Sequence, residues 1–281
     1  MSASLIGRVA SASMNATAFR NAEGIDATFD VYPYVAAGSM LSQMLPGWVQ
    51  EGGVDAMVAR LRDPETHQRV YDALDAGWFR GIPWRWDTFM VASPGAKGDP
   101  AWAGKNVQQI ADEWGIDPQE AFLRLIDISE DGVSAVMFNR TEEDMQHFLA
   151  HPLGMIGSDG NSVAADGPYS SAKLHPRYYG TFPRVLGRYV RDVKVLSLEQ
   201  AVHKMTGKPA ARLGLKDRGI VAPGYVADLT LFDPATVADR ATFQEPHQYP
   251  AGIPHVMVNG RWVIRDGEHT GALPAGVLLR S

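Results

Sequence analysis

The residues best placed to do chemistry lie between 155 and 177. Met155–Ser158 is a short apolar run ending in Asp159-Gly160. In parallel α/β folds, a carboxylate just past the C-terminal end of a strand stands where catalytic groups gather. An Asp-Gly pair equally serves an Asx-turn or a helix N-cap, so both readings of Asp159 stay open. His175-Pro176-Arg177 follows across a polar, Ser-rich stretch. An arginine held behind proline could offer a planar fork to a carboxylate, or could be a solvent-facing loop residue. Tyr32 and Tyr34 flank Pro33 at the end of another β-prone run, where they could bind a ligand or pack as half-buried aromatics.

Other chemistries are poorly supplied. His147 and His151 have the spacing of two helical zinc ligands, but the position beside the first is Phe148, not the glutamate of the metalloprotease motif. The remaining histidines form no ligand pattern, and the sequence contains no His-x-His, nucleophile elbow, P-loop or dinucleotide fingerprint. Zero cysteines exclude a disulfide scaffold, a thiolate metal site and a cysteine nucleophile.

The elements that must position these residues alternate in type. Ala27–Tyr32 reads as a strand closed by Pro33, with Gly38 and Ser39 in a following loop. Val54–Arg62 and Glu65–Ala73 carry apolar residues at helical spacing. Trp78, Trp84, Trp86 and Trp102 lie among Gly and Pro, which predicts a long irregular loop from Gly77 to Gly104 anchored by aromatics. Asp117-Pro118 opens a helix to about Ile128, Ser134–Phe138 is a buried strand, and Thr141 caps a helix that stops at His151. Helices follow over Pro183–Arg191 and Ser197–Met205, the second with Ser197 and Gln200 at capping-box spacing. Beyond Gly219 the pattern turns to strands, with a hairpin over His255–Ile264 turned at Asn259-Gly260.

The chain has 281 residues, 45% of them hydrophobic and 21% charged, a composition that folds and argues against disorder. Its formal charge of −6 argues against nucleic-acid or anionic-membrane partners, and no apolar run reaches the length of a membrane span. Residues 1–22 are Ser- and Ala-rich with Arg8 and Arg20 and no acid before Glu23, a composition loosely like a transit peptide but read here as a frayed leading segment, and residues 1–17 are left as an unassigned leader. Arg8 interrupts the apolar stretch Leu5–Ala10, which argues against a secretory signal, and the expected location is cytoplasmic.

Several stretches carry a more specific signal: FDVYPY at Phe29–Tyr34, MIGSDG at Met155–Gly160, HPRYYGTFPRVLG at His175–Gly187, RGIVAPGYVADL at Arg218–Leu229 and VNG at Val258–Gly260. In that order they resemble the D-aminoacylase, or N-acyl-D-amino-acid deacylase, family of metal-dependent amidohydrolases, from about Ala18 to Arg280. The resemblance implies hydrolysis of the amide bond of a small-molecule N-acyl-D-amino acid, releasing a carboxylate and a free D-amino acid. It implies a distorted TIM barrel with zinc at the C-terminal ends of its strands, plus a small β-sandwich. By that likeness Asp159 is the aspartate of the last strand and a proton shuttle. Arg177 and Tyr32 match residues that hold the substrate's α-carboxylate, and the backbone near Gly38 and Ser39 contributes an N–H. Arg140 falls where characterised relatives tend to line the side-chain pocket with apolar residues; pointing inward it could pair with an acidic side chain, and pointing outward it faces solvent.

The likeness is to the C-terminal portion of the family. Relatives are nearly twice as long, and their N-terminal part supplies the His-x-His, cysteine and later histidine ligands, leaving Asp159 as the one metal ligand with a counterpart in this chain. One carboxylate is too few to retain zinc. The expected fold class is therefore α/β: an incomplete amidohydrolase TIM-type barrel over residues 1–215, containing three of its strands, and part of a β-sandwich over 216–281. A non-catalytic remnant that keeps the carboxylate clamp is an alternative, as is a related enzyme acting on cyclic amides, although Arg177 argues for a free carboxylate.

Overall fold

The computed structural model describes residues 23–78 and 81–272; the leader assigned to residues 1–17 lies outside the described residues. Strand β1 (Phe29–Val31) runs parallel to a strand far along the chain, Gly154–Ile156, with Phe29 opposite Gly154 and Val31 opposite Ile156. Val31 and Ile156 are buried with Met145, Leu149, Val185 and Tyr189, so this pair is the floor of one core. Its short, mostly apolar strands fit a parallel pair covered by helices.

Residues between the pair build a separate layer. Strand β2 (Ala37–Met40) and strand β3 (Phe89–Ser93) flank β4 (Ser134–Met137), both antiparallel to it. Helices α1 (Gly47–Gln50), α2 (Gly53–Arg62), α3 (Pro64–Asp75), α4 (Val107–Trp114) and α5 (Pro118–Ser129) accompany this sheet. Leu61, Val70, Val91, Ile110, Phe122 and Ala135 close the second core. Asp63 and Asp117 cap α3 and α5 by accepting from the N–H groups of Thr66 and Gln119, at 2.9 and 2.8 Å.

Three sequence expectations are corrected here. The strand at Ser134–Met137 is not a third parallel strand, because its hydrogen-bonding edges are taken by β2 and β3. Gly38 and Ser39 sit on strand β2 and not in a loop, since pairing with Val136 and Ala135 makes extended structure of a segment weak in β-formers. The span from Gly77 to Gly104 contains β3. Its aromatics do anchor it: the Trp84 and Trp86 rings stack 5.1 Å apart, and Trp84 Nε1 donates to the Leu74 carbonyl at 2.7 Å.

Helix α6 (Glu142–Ala150), capped by Thr141, leads into β5 (Gly154–Ile156). Helix α7 starts at Arg177, earlier than expected, and runs to Arg184 with Pro183 inside it. Proline has no N–H to give the preceding turn, and the chain continues through a π-helical stretch, Val185–Asp192. Then α8 (Leu198–Met205), with the Ser197–Gln200 capping box formed, and α9 (Gly207–Arg212) end the helical part. Four antiparallel strands follow in chain order: β6 (Leu229–Leu231), β7 (His255–Val258), β8 (Arg261–Arg265) and β9 (Glu268–His269). Asn259 and Gly260 turn the hairpin with φ of 49° and 74°, as its tight turn requires.

Candidate functional site

Strand β5 delivers Asp159. Gly157 and Ser158 follow the strand, and Asp159 turns the chain with φ of 47°, a left-handed conformation that short polar side chains tolerate. The carboxylate is 68% exposed at the strand's C-terminal end. Arg177 holds it at two points: Nη2 lies 2.9 Å from Asp159 Oδ2, and Nε donates to the Asp159 carbonyl at 2.8 Å. The arginine side chain itself is only 6% exposed.

That grip leaves one nitrogen over. Arg177 Nη1 is buried and, among the described residues, has no hydrogen-bond partner. A Cβ added at Gly38 would stand 3.5 Å from it, so the glycine keeps the space beside this donor clear. Gly38, Ser39, Asp159, His175 and Arg177 line a common cleft with Val136 of β4. An orphaned buried donor is costly, and a carboxylate oxygen seated there would remove the cost.

His175 fixes where Arg177 begins. Its Nδ1 accepts from the Arg177 backbone N–H at 3.0 Å, which puts the ring proton on Nε2, 3.0 Å from the Ala36 carbonyl as donor. Burial pushes the imidazole pKa down to about 3, opposed by the Ala36 bond and assisted by the nearby cations Arg177, Arg140 and Arg184. The neutral ring therefore ties the start of α7 to the segment entering β2. Sequence reasoning did not single out His175 as part of the site; the available signal was its place in His-Pro-Arg.

Tyr32 joins the site from the end of β1. The guanidinium carbons of Arg177 and Arg140 each lie 4.7 Å from its ring centre, and Arg140 Nη2 donates to its hydroxyl at 3.2 Å. Arg140 thus turns toward Tyr32, and among the described residues no carboxylate pairs with it. Tyr34 takes the packing role instead. It is fully buried, its hydroxyl donates to the Pro176 carbonyl at 3.4 Å, and burial, with Asp239 nearby, raises its pKa. Arg184 lies over the Tyr34 ring and pairs with Asp239 at 2.9 Å, a contact that braces α7. His151 is likewise structural, accepting from the Leu153 N–H, and His147 is exposed.

The chain therefore brings Asp159, Arg177, Gly38 and Ser39 into one cleft, with the Tyr32 ring against Arg177, while Arg140, on the same ring, lines a separate cavity beside Phe138 and Thr141. Residues 128–264 match the amidohydrolase family. The chain is 44% identical over 184 residues to an N-acyl-D-aspartate deacylase of Alcaligenes xylosoxydans xylosoxydans, covering 66% of this chain and 34% of that protein. Among solved structures it superposes on D-aminoacylase with a TM-score of 0.69 at 36% identity, covering 94% of this chain and 44% of that one. It also superposes on the N-acyl-D-glutamate deacylase of Bordetella bronchiseptica, complexed with zinc and a phosphonate mimic of the tetrahedral intermediate, with a TM-score of 0.66 at 30% identity, covering 93% and 46%. The chain thus spans between a third and a half of the length of these relatives. Among the described residues no helix is long and apolar enough to cross a membrane.

Proposed function

We propose, for a chain that belongs to the amidohydrolase family and is D-aminoacylase-like along nearly all its length, that it carries the carboxylate-binding part of an N-acyl-D-amino-acid deacylase. The observation that carries this reading is the buried, partnerless Arg177 Nη1 beside Gly38, within reach of the Asp159 strand end. In this role Nη1 receives the substrate's α-carboxylate and the Tyr32 ring stacks against the same guanidinium. Fixing that carboxylate fixes the chiral centre, so one enantiomer presents its amide to the reacting groups. Asp159, a carboxylate open to solvent, takes the proton of the attacking water as oxygen bonds to the amide carbon. It returns that proton to the nitrogen as the C–N bond breaks, and an acid and a free amine leave.

Zinc enters the reading through the relatives, and the described residues do not fit it unaided. Among them no three His, Cys, Asp or Glu side chains gather as a metal group, and the Asp159 carboxylate is engaged by Arg177. A zinc site needs three or four protein ligands. We therefore read the chain as the C-terminal portion of such an enzyme, in which β1 and β5 are strands of an incomplete barrel and β6–β9 part of the small sandwich. The division falls near residue 215, and the setting is the cytoplasm. The same observation favours a second reading, a carboxylate-binding module without turnover.

One experiment separates the two. The purified chain is incubated with N-acetyl-D- and N-acetyl-L-amino acids, with and without added zinc, and free amino acid is measured. Release from the D series alone supports the enzyme. Binding of the D series without release supports the module, and failure of the chain to bind either series overturns both.

A further inference from the structure

The stretch that joins Asp159 to Arg177 is not held by a core. No residue from Asp159 to Ser171 is buried, and the backbone bonds it makes within itself are those of local turns, Gly167 to Ala164, Ser170 to Gly167 and Ala172 to Tyr169. Yet its far end is a wall of the site: Leu174 and His175 line the cleft together with Asp159 and Arg177. A loop with so little burial opens easily unless another part of the chain ties it down.

One short segment between β6 and β7, residues 243–249, makes four such ties. The Phe243 ring meets the His175 ring edge-on, with centres 5.1 Å apart. The Gln244 carbonyl accepts from Lys173 Nζ at 2.9 Å, and the Tyr249 hydroxyl accepts from the Ala165 N–H at 3.2 Å. His247 stands between these contacts. Its Nε2 lies 2.7 Å from the Ala172 carbonyl, which can only accept, so Nε2 carries the proton of the neutral ring. Nδ1 then accepts from the Tyr179 hydroxyl of α7 at 3.0 Å. Tyr179 packs edge-on against both His247 and Tyr249, each with centres 5.8 Å apart. Pro246 and Pro250 fix φ on either side of these residues. One imidazole thus joins the end of the loop to the helix that carries Arg177.

Resting on the reading that Arg177 takes the α-carboxylate, we propose that residues 243–249 are a strap that holds the 160–174 loop closed, with His247 as its positioning residue. His247 acts through Ala172 and Tyr179 and takes no part in proton transfer. With the strap in place, both ends of the loop stay in register across the cleft. Once released, the loop must be ordered again before a ligand binds, and apparent affinity falls by the fraction of chains in which it is closed.

The test pairs hydrogen exchange read by mass spectrometry with calorimetric binding of N-acetyl-D-glutamate and N-acetyl-D-leucine, both on the purified full chain. Peptides covering 160–174 report the loop, and peptides from α2–α5 and β6–β9 report the rest. His247→Phe keeps a ring and removes both bonds. Protection of the loop amides should fall about tenfold, the effect of one lost hydrogen bond on an opening equilibrium, with the other peptides unchanged. Ligand affinity should fall about three- to tenfold with it. His247→Gln keeps a donor toward Ala172 and should recover part of both losses. Tyr249→Phe removes only the acceptor for Ala165, should give a smaller loss of the same kind, and carries the test if melts show His247→Phe unfolded. A wild-type loop that exchanges as freely as an unfolded chain, or one unchanged in His247→Phe and Tyr249→Phe, overturns the strap. Faster loop exchange with unchanged affinity overturns the positioning role. If neither ligand binds the wild type, the α-carboxylate reading fails and the positioning role fails with it.

Discussion

His175 should make the fold acid-sensitive in a window set by its own surroundings. The ring is held neutral between a donor and an acceptor of the backbone, with its pKa near 3 against an ordinary value of about 6.5. A proton added at Nδ1 would meet the Arg177 N–H head-on, and burial resists the charge. The unfolded chain accepts that proton below about pH 6.5, whereas the folded chain refuses it until about pH 3. The unfolded state therefore binds more protons throughout this interval, and stability must fall as pH falls. The contribution is fully present above pH 6.5 and declines by about 1.4 kcal/mol per pH unit, or roughly 2.7 kcal/mol between pH 6.5 and 4.5.

Carboxylates titrate over part of the same range, so the comparison needs a variant. His175→Gln removes the titration and keeps an amide that can donate toward Ala36. Urea unfolding at half-unit steps from pH 8 to 4.5 gives stability curves for both proteins. The variant's stability relative to wild type should be constant above pH 6.5 and rise by roughly 2.7 kcal/mol as pH falls to 4.5. A gap that stays constant across the range would refute the argument, because it would mean that His175 takes up its proton equally in both states.

Other consequences of the geometry are as direct. Arg177→Lys keeps the charge but loses the planar fork, so affinity for N-acetyl-D-amino acids should drop by about 1.5–3 kcal/mol, read by calorimetry. Gly38→Ala puts a methyl 3.5 Å from Arg177 Nη1, an ordinary contact, so the melting temperature should hardly move while ligand affinity falls. Asp239→Asn leaves Arg184 charged and half-buried without its partner, and should lower unfolding free energy by about 1–3 kcal/mol, less than a fully buried pair would lose. In an assay where the D series is turned over, Asp159→Asn should reduce kcat by about 10²-fold or more with little change in binding.

What was legible in the sequence was what neighbours in the chain decide. Asn259-Gly260 specifies its turn by conformation alone, and Asp63, Asp117, Thr141 and Ser197 cap the helices that follow them because the partner N–H is two or three residues away. Asp159 could be picked out because an apolar strand runs directly into Ser-Asp-Gly. Strand β2 could not: Ala-Gly-Ser-Met has little preference for extension, and its ladder comes from β4, nearly a hundred residues later. The same limit hid His175. Its acceptor is the Ala36 carbonyl, 139 residues away in sequence, and without that bond the ring reads as one more loop histidine. Arg177 and Arg140 show the intermediate case. Each was visible as a cation near a plausible site, but their meeting on the one Tyr32 ring depends on β1 pairing with β5 and on the Arg140 N–H bonding the Val35 carbonyl, both contacts between residues more than a hundred positions apart.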